Sequence, residues 1–127
     1  VASPPRKRVI VVDDDPDIRA LVGRVLADAY EVQTFADGEA ALDAVRAEPP
    51  ALVLLDLMMP RMDGEAFLTR MRLQLGDAAP PVALLSASSQ RTEIARRHGV
   101  AAALDKPFEL DDVRELVDSL IQRASRP

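Results

Sequence analysis

The chain is 127 residues long, 48% hydrophobic and 29% charged, with a formal net charge of −5 and no Cys. That size and balance support one compact domain around a single core and exclude two. They also exclude a disulfide framework, a thiolate nucleophile and a Cys-based zinc site, and the acidic balance argues against direct nucleic-acid binding.

Residues 1–7 read as a tail or linker, and Arg6-Lys7-Arg8 as a solvated basic lead-in to the first strand. A start without Met reads as a processed or excised segment, with a partner domain attached at either end. Arg8 to Val12 is a Val- and Ile-rich buried strand that stops at Asp13-Asp14-Asp15. Asp15-Pro16 has the form of a helix cap followed by proline at the first helical position, and Ile18, Leu21, Val22, Val25 and Leu26 make an amphipathic stripe. The first helix is expected from Pro16 to Asp28.

Glu31 to Phe35 alternates and predicts a half-exposed edge strand. Asp37-Gly38 opens a second helix that buries Ala41, Leu42 and Val45 and is stopped by Pro49-Pro50. Leu52 to Leu55 is a short apolar run ending on Asp56 and followed by turn residues, the pattern of a strand buried on both faces. Phe67, Leu68, Met71 and Leu75 mark a third helix, Gly76 to Pro81 a loop, and Val82 to Leu85 a strand ending on Ser86. Gln90 to His98 is helical in length but poor in apolar residues, which predicts a weakly anchored helix closed by Gly99. Val100 to Leu104 is the last strand, and Val113, Leu116, Val117, Leu120 and Ile121 define the final helix.

Five strand–helix repeats with right-handed crossovers give a doubly wound α/β fold, a five-stranded parallel sheet with helices on both faces. No apolar run approaches the roughly 20 residues of a membrane helix, and no signal-peptide core precedes the first strand. A soluble, cytoplasmic domain is expected.

In such a sheet ligands bind at the carboxyl ends of the strands, so Asp13, Asp14, Asp56, Ser86 and Lys106 should converge. Crowded carboxylates raise one another's pKa unless a cation sits among them, and oxygen-only ligands on loops suit Mg2+ better than zinc. A metal and an ammonium beside Asp56 are the equipment of phosphoryl transfer, with Asp56 as acceptor and Ser86 as a donor to the new phosphoryl oxygens.

Val11-Val12-Asp13-Asp14-Asp15, Leu54 to Gly64, Leu85-Ser86-Ala87 and Lys106-Pro107-Phe108 together resemble the receiver domain of two-component response regulators, in the right order, over 8–123, with 124–127 as a C-terminal tail. The resemblance implies a CheY-like, flavodoxin-like fold. It also implies that Asp56 is the phosphoacceptor, that Asp13, Asp14, Asp56 and the Met58 main-chain carbonyl hold Mg2+, that Ser86 is the switch hydroxyl and that Lys106 contacts the phosphate. A cis Lys106-Pro107 peptide is implied as well. The implied donor is a histidine kinase or histidine phosphotransfer protein, and the implied role is a signalling switch that catalyses only its own phosphoryl transfer and slow self-dephosphorylation. The usual partner surface of the family is formed by the fourth helix, last strand and fifth helix, and a homodimer through it is an option.

Three residues before the lysine, where the family usually carries Tyr or Phe, this chain has Ala103. Movement of the weak helix 90–98 is expected in place of an aromatic flip. Met58 and Ser88 flank the site at the family's variable positions, and a bulky Met58 is expected to shield an acyl phosphate from water. Methionines 58, 59 and 62 are expected to cover the core, and His98, the only histidine, to have an exposed structural role or a favourable dipole contact near a helix end. Two other readings compete. One is a phosphorylation-independent docking or dimerisation module; the other is an aspartyl phosphohydrolase of the haloacid dehalogenase type, disfavoured by Asp17 where that family has Thr or Val.

Overall fold

The computed structural model describes residues 6–59, 61–87 and 90–124. The expectation for Ser88 and most of both expected tails, 1–5 and 125–127, lie outside the described residues. The strands are β1 (Arg8–Val12), β2 (Glu31–Phe35), β3 (Leu52–Leu55), β4 (Val82–Ser86) and β5 (Ala102–Asp105). The helices are α1 (Pro16–Leu26), α2 (Gly38–Ala47), α3 (Gly64–Leu75), α4 (Arg91–His98) and α5 (Leu110–Ala124). All pairings are parallel and the strand order is β2-β1-β3-β4-β5.

Alternation along the strands divides the core into two layers. Ile10, Val12, Val53, Leu55, Val82 and Leu84 face α2, α3 and α4, where Phe67, Leu68, Met71 and Ile94 pack on them. Val9, Val11, Leu52, Leu54, Ala83 and Leu85 face α1 and α5 and meet Val22, Leu26, Val113 and Val117. Strands β1 and β3 are buried on both faces, whereas β2 at the edge is half-exposed, as its sequence pattern predicts.

Carboxylates start three of the helices. Asp15, Asp37 and Asp63 accept the amides of Asp17, Ala40 and Ala66 at 2.8–2.9 Å; they supply partners for orphan donors and place negative charge at the positive helix end.

Four expectations are corrected. Helix α1 ends at Leu26, not Asp28, because the amides of Ala29 and Tyr30 both return to the Leu26 carbonyl and close the last turn. Strand β5 begins at Ala102 because the Val100 amide is still used to close α4, donating to the Ala95 carbonyl behind a left-handed Gly99. Arg8 is no solvated lead-in: its side chain is 12% exposed and donates to the Ala44 and Glu48 carbonyls at the end of α2 and to Gln33. The loop 76–81 contains a 3-10 turn over Gly76–Ala78. No described helix is long and apolar enough to cross a membrane.

Candidate functional site

Adjacent β1 and β3 send the chain to opposite faces of the sheet, and such a switch point opens a crevice at the strands' carboxyl ends. Asp13 and Asp56 sit there, each tied by its main chain to the neighbouring strand: the Asp56 amide donates to the Val12 carbonyl at 2.9 Å and the Asp13 amide to Phe35 at 3.1 Å. Their side chains are thereby aimed at one another. Asp13 is 1% exposed and Asp56 4%, while Asp14 lies on the rim in solvent.

Oxygens of Asp13, Asp14 and Asp56 lie within 4.8 Å of one another. Lys106, brought in from the end of β5, donates to Asp13 Oδ2 at 2.7 Å and stands 3.6 Å from Asp56 Oδ2. The other Asp56 oxygen, Oδ1, accepts the Met58 amide at 3.1 Å. Burial pushes the Asp56 carboxyl up to about 6; the Met58 hydrogen bond and Lys106 oppose the rise, and the charges of Asp13 and Asp14 add to it. Ser86 is fully buried at the end of β4, and its carbonyl accepts the Lys106 amide at 3.2 Å, so hydroxyl strand and lysine are joined by their main chains. The Lys106-Pro107 peptide is cis, in line with the resemblance.

All five side chains expected from the sequence therefore lie at this one sheet edge. Hard oxygen donors, two of them buried and one open to water, fit a small divalent cation that keeps part of its hydration, as Mg2+ does. The expectation for the methionines is half corrected: Met59 and Met62 are buried, but Met58, between buried Leu57 and Met59, is 64% exposed. His98 is also corrected. Its side chain is only 14% exposed and lies 3.0 Å from Glu65 of α3.

Two residues escaped the sequence reading. Arg19 donates to the Asp13 carbonyl at 2.8 Å and pins the acidic loop to α1, a main-chain partnership that leaves no mark in the sequence. Gly64 is pressed against the loop after Asp56 so closely that a Cβ would lie 2.7 Å from Leu57 Cα and 2.8 Å from the Asp56 carbonyl oxygen. Beside the site, a cavity of about 470 Å³ is lined by Asp14, Leu57, Met58, Glu65, Gln90 and Ile94.

The family model for the response regulator receiver domain matches residues 9–118. Response regulator MprA of Mycolicibacterium vanbaalenii is 34% identical over 120 residues, 93% of this chain and 52% of that protein. Sensor histidine kinase TmoS of Ectopseudomonas mendocina is 34% identical over 116 residues, 90% of this chain and 12% of the kinase. The chain thus spans about half the length of the regulators it matches and a small part of the kinase. Among solved structures, chemotaxis protein CheY4 of Vibrio cholerae superposes with a TM-score of 0.82 at 30% identity, covering 91% of this chain and 98% of CheY4. The receiver domain of Francisella response regulator 1452 gives 0.84 at 28% identity, covering 94% and 100%.

Proposed function

The chain belongs to the response regulator receiver-domain family of two-component signalling, and from that premise we propose that it takes a phosphoryl group from a histidine kinase or histidine phosphotransfer protein onto Asp56. The observation that carries this reading is the placement of a buried Asp56 beside the Lys106 ammonium and the acids Asp13 and Asp14. In the transfer the phosphorus–nitrogen bond of a phosphohistidine breaks as a bond forms to an Asp56 carboxylate oxygen, and the imidazole leaves with the electron pair.

Asp13, Asp14, Asp56 and the Met58 carbonyl are the proposed holders of Mg2+. When bound, the ion supplies positive charge against the carboxylates and the phosphoryl oxygens. Lys106, 3.6 Å from Asp56 Oδ2, would neutralise charge on the incoming phosphoryl group, and the Met58 amide holds one Asp56 oxygen so that the acceptor does not rotate. Ser86 donates to the phosphoryl group after transfer, which registers the loaded state on β4. The module is a switch that handles its own phosphoryl group, resident in the cytoplasm, and the face of α4, β5 and α5 is its surface for an output domain, a target or a second copy.

The test is intact-protein mass after incubation with Mg2+ and acetyl phosphate, beside Asp56→Asn. A gain of one phosphoryl group that requires both Mg2+ and Asp56 supports the reading. No gain by folded protein overturns it in favour of a phosphorylation-independent docking module.

A further inference from the structure

Helix α4 is the most weakly embedded helix: Ile94 is its only buried residue among those described. Its other ties are polar. Arg91 in the first turn pairs with Asp105 of β5. At the last turn Glu65 of α3 takes two cationic or hydrogen-bonding groups at once, Arg97 Nη1 at 2.6 Å and His98 Nε2 at 3.0 Å. His98 is 14% exposed, so its contact with Glu65 is less screened than a pair in open water, whereas Arg97 at 56% reaches Glu65 from solvent. The hydrogen bond from His98, and then Arg97, hold the Glu65 carboxyl below its usual range.

Glu65 is also the residue after Gly64, where α3 rests on the acceptor loop. The Gly64 amide donates to the Leu57 carbonyl at 3.0 Å, and its backbone leaves no room for even a methyl group against Leu57 and the Asp56 carbonyl. Asp56, Leu57, Gly64, Glu65 and His98 are therefore linked by successive bonds and tight contacts. Phosphorylation of Asp56 changes the charge and the acceptor geometry at the carboxylate that now holds the Met58 amide. The cavity lined by Leu57, Met58, Gln90 and Ile94 leaves space between this loop and α4. On the other side of α4, position 103 is a solvent-exposed Ala with no side chain able to reach back to Ser86.

We propose that Glu65 is a positioning residue which, by clasping Arg97 and His98, lets the state of the Asp56 loop set the placement of α4. The clasp takes the part that an aromatic on β5 would play. This rests on Asp56 being the phosphoacceptor. A conducting element of this kind needs coupling evidence rather than proximity alone, and the Glu65–His98 pair supplies a cycle in which to measure it.

The experiment is amide hydrogen exchange of residues 91–98 with and without acetyl phosphate and Mg2+, in wild type, Glu65→Ala, His98→Ala and the double variant, with phosphoryl gain measured by mass on the same samples. Wild type should change its α4 exchange by at least about fivefold on phosphorylation, the lower end of ordinary coupling. Each single variant should take up phosphate on Asp56 normally yet respond by less than about twofold, and the double should respond like the singles. Should either Ala variant fail to melt cooperatively, Glu65→Gln and His98→Gln replace the pair with the same expectation of a reduced response. Normal phosphorylation with an unreduced α4 response in the variants, or none in wild type, overturns the clasp and leaves the proposed function standing. Absence of phosphoryl gain in wild type overturns both.

Discussion

Lys106 and Asp13 are in direct contact, the ammonium 2.7 Å from Asp13 Oδ2, and the same ammonium is 3.6 Å from Asp56. The lysine thus rests on one of the acids proposed to hold Mg2+, close to the proposed phosphoacceptor Asp56. Two effects are expected from Lys106→Met. The 1%-exposed Asp13 carboxylate loses its cation, which destabilises the fold in EDTA by at most about 3–5 kcal/mol, the cost of breaking a buried pair, and by less here because Lys106 is 20% exposed. Phosphoryl uptake from acetyl phosphate falls by about 100-fold, the typical cost of removing one charge-stabilising donor. Urea denaturation and uptake kinetics read the two separately; an unchanged uptake rate would remove Lys106 from the transfer.

Asp56 gives a pH-dependent prediction. Its folded carboxyl sits at about 6 against an ordinary 3.8, so the folded protein holds a proton that the unfolded chain has lost between those values. The ionised form therefore costs stability above pH about 6, the cost shrinks as pH falls from there to 3.8, and below 3.8 it is absent. Asp56→Asn should raise stability near neutral pH in EDTA by at most about 2–3 kcal/mol. The gain should vanish toward acid. Melts across this range with and without Mg2+ check it, and Mg2+ should stabilise wild type far more than the variant.

Glycine positions 38 and 64 make a paired comparison. A Cβ at Gly64 meets backbone, Leu57 Cα at 2.7 Å and the Asp56 carbonyl at 2.8 Å, while one at Gly38 meets the flexible end of Met62, Sδ at 2.8 Å. Gly64→Ala should cost about 2–3 kcal/mol and slow phosphoryl uptake through displacement of Asp56, whereas Gly38→Ala should cost less than about 1 kcal/mol. Denaturant midpoints rank them, and equal costs would contradict the rigid approach of α3 to the acceptor loop.

Met58 follows Asp56 by two residues and stands 64% exposed at the mouth of the site. An apolar side chain there hinders water from reaching an acyl phosphate and offers it no hydrogen bond. Met58→Asn should speed decay of phosphorylated protein on the order of tenfold, equivalent to about 1.4 kcal/mol of barrier. Equal decay rates for the two proteins would show that Met58 does not shield the site.

Strand ends were legible in the sequence because each apolar run stops abruptly on a polar residue, and in a parallel sheet all those ends share one edge. Asp13, Asp56 and Ser86 could be placed together on that basis. Arg19 could not, because its partner is a main-chain carbonyl, and any surface arginine in a helix looks alike in one dimension. Gly64 likewise reads as an ordinary turn residue until the loop that it presses on is folded against it.

The sequence by itself determined the element order, the two-sided burial of β1 and β3 and the set of side chains at the sheet edge, since periodicity and strand-end residues are local properties. Tertiary structure alone decided that Lys106 rests on Asp13, that Met58 turns outward while Met59 and Met62 turn in, and that His98 meets Glu65 across 33 residues of chain. Those outcomes depend on how helices dock on the finished sheet. A side chain's neighbours, unlike its periodicity, exist only once distant segments have been packed together.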